Sequence, residues 1–215
     1  MKTSEADLSA KQPNKRGRID GRRLRSERTK QLILEAFLGL LRESPSMPTA
    51  AQIAERAGYS VRSVFERFAD LNALRVAAVD YQLAQAAALA PPRHVDGDRQ
   101  TRIRSQVETR AGTCERGVAL WRVLLSTGAE SEELKLRLRI ARQRTIDRFE
   151  IMYRPELSTL GDAERRHLLI ALEALTDMES WARLREFFDL SFEEACLVWV
   201  RAIDRLLPGT QPAQG

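Results

Sequence analysis

The twenty residues from Thr49 to Phe68 constrain the fold more than any other stretch of the chain, and their sequence is TAAQIAERAGYSVRSVFERF. Gly58 separates two short segments of helical periodicity, and a glycine can adopt the left-handed backbone that a sharp turn requires. Thr49 and Gln52 have the spacing of a capping box for the first segment, and Ser60 can cap the second. The stretch therefore predicts two short helices joined by a tight turn, which is the helix-turn-helix pattern.

The second of these predicted helices divides its side chains between two faces. Helical periodicity places its apolar residues inward and its polar residues outward. The outward face is rich in donors that can reach the phosphates and base edges of DNA. A tight hairpin inside any helical bundle would also have small residues, such as Ala54 and Gly58, at its turn. The flanking sequence therefore has to distinguish a DNA-binding motif from an ordinary helical hairpin. The inward set is Val61, Val64, Phe65 and Phe68, and the outward set is Arg62, Ser63, Glu66 and Arg67.

The composition of the whole chain favours helices. Of its 215 residues, 43% are hydrophobic and 30% are charged, and this length suffices to bury a core in one or two domains. No segment alternates between apolar and polar residues as a half-buried strand does. No apolar run approaches the roughly 20 residues of a membrane span, and no apolar core follows the N-terminal charges. We therefore expect an all-α, cytoplasmic protein without membrane contact.

Apolar periodicity and capping residues predict about nine helices in two domains. We expect a three-helix helix-turn-helix domain over residues 24–75 and a larger helical domain over residues 76–208. The fourth predicted helix has to belong to both. We expect residues 1–23 to form a disordered basic arm and residues 209–215 to form a disordered tail. The predicted helices cover about 26–43, 50–57, 61–67, 71–90, 99–112, 114–127, 132–154, 162–185 and 192–207.

Positive charge is concentrated at the N-terminus. Residues 1–30 contain ten Lys or Arg against four Asp or Glu, whereas the rest of the chain contains 25 against 26. The whole net charge of +5 therefore lies in front of the predicted helix-turn-helix. A basic arm in this position is typical of a segment that lies along DNA, and a solubilising tail is the alternative.

The sequence offers few groups for catalysis or metal binding. Of the two histidines, His94 lies in a proline-rich break, and His167 has Ala171 at the position where a helical metal site needs its second ligand. No glycine-rich phosphate loop, nucleophile elbow or CxxC motif occurs. We therefore expect no enzyme activity, no catalytic residue, no metal and no cofactor. Cys114 and Cys196 lie in predicted helices as small buried residues, with a redox pair as the alternative.

About residues 24–80 resemble the N-terminal domain of TetR-family transcriptional regulators. The resemblance rests on a helix with a basic start, the stretch from Thr49 to Phe68, and the sequence ADLNAL at the start of the fourth helix. It implies a homodimeric regulator of a double-stranded DNA operator, most often a repressor that a small-molecule effector releases. It also implies that the last two helices pair with those of a second subunit. The positions that meet DNA in the family are Arg28, Thr49, Ser60, Arg62, Ser63, Phe65 and Arg67 here.

Two positions depart from the family pattern. The family usually has a tyrosine at the position of Phe65 and a lysine at the position of Leu71, so two polar phosphate contacts are lost. We hypothesise that the basic arm replaces them. The alternatives are a helical protein-interaction adaptor whose DNA-binding residues have decayed, or a regulator without a small-molecule effector.

The effector site and the dimer interface are predicted from apolar stripes at helical spacing. Such stripes are more often ordinary core than cavity lining or interface. Arg110, Glu108 and His167 are candidates to anchor a polar effector. The candidate cavity residues are Trp121, Leu125, Phe149, Met152, Tyr153, Met178 and Trp181, and the candidate dimer residues are Leu175, Trp199, Ile203 and Leu207.

Removal of residues 1–23 should make the DNA affinity less sensitive to salt. Each neutralised phosphate contributes about −0.9 to the slope of log affinity against log salt concentration, so loss of basic residues should make the slope shallower. Operator titrations of the full-length and shortened proteins over a salt series measure the two slopes. An unchanged slope would exclude the arm from the DNA contact.

Overall fold

Helices occupy most of the residues that the structure, a computed structural model, describes, namely 15–44, 46–89, 92–126 and 131–210. Ten α-helices and no strand occur in these ranges, which confirms the predicted all-α class. None of these helices is both long and apolar enough to cross a membrane. The helices are α1 (Lys15–Glu43), α2 (Ala50–Ala57), α3 (Val61–Arg67), α4 (Leu71–Leu89), α5 (Arg99–Ser126), α6 (Glu132–Met152), α7 (Arg154–Leu157), α8 (Asp162–Leu175), α9 (Met178–Ala182) and α10 (Phe192–Leu206).

The first helix begins earlier than the sequence predicted. It is helical from the first described residue, Lys15, whereas the prediction began it at residue 26. Residues 15–23 are therefore helical where disorder was expected. Arg25 donates a hydrogen bond from Nε to the carbonyl of Gly21 (3.0 Å) within this extension. Once a helix is nucleated, each further residue adds a hydrogen bond, and arginine is a good helix former. The predicted disorder of residues 1–14 and 211–215 lies outside the described residues.

Two helical boundaries in the second half also differ from the prediction. The segments expected over 99–112 and 114–127 form the single helix α5, because Gly112 costs only about 1 kcal/mol in a helix that packs on both sides. Conversely, the segment expected over 162–185 is interrupted after α8. Asp177 caps α9 there by accepting a hydrogen bond from the amide of Ser180 (2.6 Å), and α9 continues into a π-helical turn, Arg183–Phe187.

The described residues pack around two hydrophobic cores that share the helices α5 and α6. The first core joins α1–α4, where Phe37, Ile53 and Leu74 are fully buried, and it extends to Leu124 on α5. The second core joins the first half of α5, which contributes Ile103, to α6–α10. The first core therefore crosses the boundary predicted after residue 75. The helices α5 and α6 contribute to both cores, whereas the core residues of α4 belong to the first core.

A buried ion pair fastens the start of α5 to the second core. Arg102 donates hydrogen bonds to a carboxylate oxygen of Glu156 on α7 and to the carbonyls of Met152 (2.9 Å) and Gly97 (2.7 Å). Glu156 is fully buried, and its carboxylate also lies 3.9 Å from the guanidinium of Arg99. A buried charge of this kind needs such partners. Arg99, one turn earlier, binds the carboxylate of Asp204 (2.8 Å) at the end of α10.

The substitution Arg102→Met should destabilise the protein by about 3–5 kcal/mol, because it removes the hydrogen-bonded partner of the buried carboxylate of Glu156 and leaves it only the guanidinium of Arg99 at 3.9 Å. Chemical denaturation followed by circular dichroism measures the free energy of unfolding. Arg104→Met, on an exposed position of the same helix, is the matched control and should stay within about 0.5 kcal/mol of the parent protein. An equal effect of both substitutions would show that the pair does not stabilise the fold.

Candidate nucleic-acid interface and ligand cavity

The predicted helix-turn-helix is present, with each predicted local contact formed. The amide of Gln52 donates to the Thr49 hydroxyl (3.3 Å), and the Gln52 side chain accepts from the Thr49 amide (2.9 Å), which closes the capping box of α2. Gly58 has a φ of 73°, in the left-handed region expected for the turn. Ser60 caps α3 by accepting from the amide of Ser63 (3.1 Å). These predictions are confirmed.

Two contacts hold α1 against this motif. Arg56 on α2 makes paired hydrogen bonds of 2.8 and 2.7 Å with the carboxylate of Glu43 at the end of α1. These hydrogen bonds from Arg56 lower the pKa of the Glu43 carboxyl. At the other side, the hydroxyls of Thr29 and Tyr59 lie 3.4 Å apart, which joins α1 to the turn. These contacts join α1 to α2 and to the turn that precedes α3.

Arg62 projects from α3 into solvent more than its neighbours. Its side chain is 87% exposed, and its Nε lies 2.9 Å from a carboxylate oxygen of Glu66 one turn later. An exposed pair of this kind contributes about 0–1 kcal/mol, so the guanidinium can exchange Glu66 for another acceptor at little cost. The side chain is thus available to a partner surface.

The apolar residues of α3 are only partly inward, contrary to the prediction. Val64 and Phe68 are buried, whereas Val61 and Phe65 are 41% and 45% exposed. Residues four apart lie on the same side of a helix. In this helix of seven residues, Val64 pairs in this way with Phe68 on the side that faces the core, and Val61 pairs with Phe65 on a neighbouring side. Together with Tyr59 in the turn, Val61 and Phe65 form an exposed apolar patch beside Arg62.

The remaining candidate DNA contacts occupy the same end of the first core. Thr49 and Ser60 are exposed but already serve as caps, and Ser63 is half-buried. Arg67 is half-buried, with a buried Nε that has no hydrogen-bond partner among the described residues. Arg28 is exposed on α1 and precedes the residue that contacts the turn. Leu71 packs partly buried on the core, so an apolar contact replaces the charge expected there.

A cavity of about 430 Å³ lies between α4, α5, α6 and the junction of α8 with α9. This volume is in the range of pockets for small molecules. Its walls are mainly apolar at one end and polar at the other. Apolar lining residues include Val79, Leu83, Leu120, Trp121, Leu124, Leu138 and Met178, and polar ones include Gln106, Thr109, Arg110, Arg142, Arg148 and Glu173.

Only two of the seven predicted cavity residues line this space. Trp121 and Met178 do so, whereas Leu125 is 52% exposed and does not. The other four are fully buried in the second core, and their assignment to the cavity was wrong. Periodicity identifies an apolar face but cannot distinguish a face that packs on another helix from one that borders a gap. The four core residues are Phe149, Met152, Tyr153 and Trp181.

The polar end of the cavity contains arginines that periodicity did not select. Arg148 on α6 donates to the side chains of Gln106 and Thr109 on α5, and burial lowers the pKa of its guanidinium. Arg110 donates from Nε to the carbonyl of Thr176 (2.8 Å). Arg110 was a predicted anchor. Two other predicted anchors, Glu108 and His167, are exposed and are not part of the cavity wall.

The predicted dimer residues lie in the interior of the protomer. Trp199 and Ile203 are fully buried and Leu207 is 4% exposed, while Leu175 packs partly buried on the same core. They cannot form a subunit interface without unpacking, so this prediction was wrong for the three buried residues. The most apolar side of α10, with Trp199 and Ile203, packs on the second core of the same chain. The exposed apolar residues of α8 and α10 are Ile170, Leu197, Val198 and Leu206.

Both cysteines are buried, and neither forms a disulfide. Burial raises the pKa of Cys114 and of Cys196 to about 11. Thiols with such pKa values hold their protons at neutral pH and react slowly. Within the described ranges, no group of three or more His, Cys, Asp or Glu side chains could hold a metal ion.

The sequence matches no protein-family model and no curated protein. The function is therefore inferred from the geometry of the helix-turn-helix and of the cavity.

Proposed function

We propose that the protein is a sequence-specific DNA-binding transcriptional regulator of the TetR type, acting as a homodimer. The observation that carries this proposal is the short helix α3, which follows a glycine turn, is capped by Ser60 and presents Arg62 to solvent. A helix of this size enters the DNA major groove, which is about 12 Å wide. The protein would act as a repressor that a small-molecule effector releases.

The exposed face of α3 has suitable chemistry for base contacts. Arg62 can donate two hydrogen bonds to a guanine, and Glu66 beside it can accept one from a cytosine. Val61 and Phe65 can contact the methyl group of a thymine. The exposed apolar patch would thus have a role in base contact, in place of the phosphate contact that a tyrosine at the position of Phe65 would make. Arg67 is better placed for a phosphate.

The helical extension of α1 supports a revised role for the basic N-terminus. Arg23 and Arg25 are exposed on this extension. A helix is too wide for the minor groove, so we infer that residues 15–25 follow the phosphate backbone and do not enter a groove as an extended arm would. This placement supplies the phosphate contacts that Phe65 and Leu71 lack.

Two helices can transmit the occupancy of the cavity to α3. On α4, Leu74 lies in the first core, and Val79 and Leu83 line the cavity about two turns later. On α5, Leu124 belongs to the first core and also lines the cavity. A ligand that displaces α4 must therefore repack the core that supports α3. Full reversal of a 1:99 population requires about 5.5 kcal/mol of differential binding.

The exposed apolar residues of α8 and α10 support a homodimer. A two-fold axis would bring the same face of each protomer together and place two copies of α3 in successive major grooves, about 34–36 Å apart. The competing function, a helical adaptor, is favoured by the apolar patch of Tyr59, Val61 and Phe65. Binding to random DNA at low salt separates the two, because an adaptor would show no sequence-dependent component.

The substitution Arg62→Ala should weaken operator binding by about 1–3 kcal/mol and relax specificity at one base pair, because a base-edge contact is lost. Titration of an operator and of single-base variants measures both effects. Arg139→Ala, at an exposed site on α6, is the matched control and should change neither. Equal weakening on every sequence would assign Arg62 to a phosphate.

The substitutions Ile170→Glu and Leu197→Glu should yield folded monomers, since each places a charge in the proposed interface. Sedimentation velocity measures the mass, and circular dichroism confirms the fold. Leu136→Glu, at a residue of similar exposure on α6, should leave the dimer intact. Trp199→Glu should instead unfold the protein, because it buries a charge in the core. A dimer that survives both interface substitutions would place the contact elsewhere.

A further inference from the structure

We infer that the cavity binds an amphipathic organic anion, an acid with an apolar body, and that Arg110 receives its charged group. This inference depends on the proposed function only for the regulatory consequence of binding. The binding itself follows from how polar and apolar residues are arranged along the walls.

The wall that α5 contributes changes from polar to apolar along the helix. Thr109 and Arg110 line the cavity near one end, and Leu120 and Leu124 line it near the other. Arg110 and Leu124 are fourteen residues apart, which corresponds to about 21 Å along a helix. A ligand lying along α5 would therefore meet a polar end and an apolar end.

The opposite wall, on α6, has the same gradient in reverse chain order. Leu138 packs on the first core together with Leu124, whereas Arg148 binds Gln106 and Thr109 of α5. Both helices thus place more of their polar lining residues toward the end with Arg110 and Arg148. Two residues of α6 depart from this gradient, since Arg142 lies over Trp121 and Ile151 follows Arg148. A purely polar anion would leave the apolar end unfilled, and a purely apolar ligand would leave the guanidinium of Arg110 without a charged partner.

The carboxylates in the lining already have partners in the protein. Glu173 lies 3.8 Å from Arg142, whose guanidinium covers the ring of Trp121 at 5.7 Å. Asp177 caps α9 by accepting from the amide of Ser180 (2.6 Å), and Asp147 accepts from the side chain of Gln143 (2.8 Å).

Arg110 is arranged differently. Its Nε donates to the carbonyl of Thr176, and within the described part of the chain no ion pair includes this residue. The terminal nitrogens of its guanidinium have the fork geometry that binds a carboxylate through two hydrogen bonds. Arg148 adds a second guanidinium at this end, so an anion would meet two cationic side chains beside the hydrogen-bonded carboxylates of Asp147 and Asp177.

Calorimetric titration of the full chain without DNA tests this inference with three probes of equal chain length. These are dodecanoate, dodecanol and dodecyltrimethylammonium, each below its micellar concentration. Dodecanoate should bind at least about tenfold more tightly than dodecanol, because a charged hydrogen-bonded pair is added, and dodecyltrimethylammonium should bind most weakly. Equal binding of the acid and the alcohol, preference for the cation, or no binding of dodecanoate would overturn the inference.

Variants of Arg110 assign the charge recognition to one residue. Arg110→Gln should remove the preference for dodecanoate over dodecanol while the affinity for dodecanol stays unchanged, and Arg110→Lys should restore part of the preference. Arg139→Gln, exposed on α6 outside the cavity, is the control and should behave as the parent protein. A preference that persists in Arg110→Gln would overturn the role of this residue.

Operator titrations with and without dodecanoate then separate the inference from the proposed function. Binding of the acid without any change in DNA affinity would leave the ligand class intact and overturn the effector mechanism. Absence of sequence-specific DNA binding would overturn the regulator and leave the calorimetric result in place.

Discussion

The packing of α5 along both hydrophobic cores is the constraint on which the rest of the structure depends. Its first half holds the second core through Ile103 and through the buried pair of Arg102 with Glu156, and its last turns complete the first core through Leu124. A helix of 28 residues is stiff, so the two cores cannot move independently without repacking one of them. The two ends of α5 therefore connect the core that supports the helix-turn-helix with the core formed by the helices that follow it.

The helix-turn-helix itself depends on packing to an unusual degree for its length. Helices as short as α2 and α3 are marginal in isolation, since nucleation is costly. The caps at Thr49 and Ser60 contribute part of the free energy that stabilises these two helices. Burial of Ile53 and Val64 in the first core contributes the rest. Within α3, Val64 is the buried residue. Most of the surface of this helix therefore remains exposed and can contact a partner.

The cavity lies where α4, α5 and α6 diverge between the two cores. Gly117 on α5 permits close approach there, since a Cβ at this position would lie 2.7 Å from the terminal carbon of Met178. The apolar wall continues the first core, and the polar wall begins where Arg148 reaches across to Gln106. Residues from both cores line this site, since Leu124 belongs to the first core and Met178 packs on the second. The proposed ligand could therefore change the packing of both cores without contacting α3.

The sequence by itself determined the features that depend on neighbours within one turn of a helix: the helical class, the caps at Thr49 and Ser60, and the left-handed turn at Gly58. It could not show that α5 is continuous, that Trp199 faces its own core while Leu197 faces outward, or which apolar stripes border a gap. Those outcomes depend on which helix packs against which face, and residues far apart in the chain decide that. Hydrophobic periodicity is the same for a core, an interface and a cavity wall, so only the tertiary structure distinguishes them.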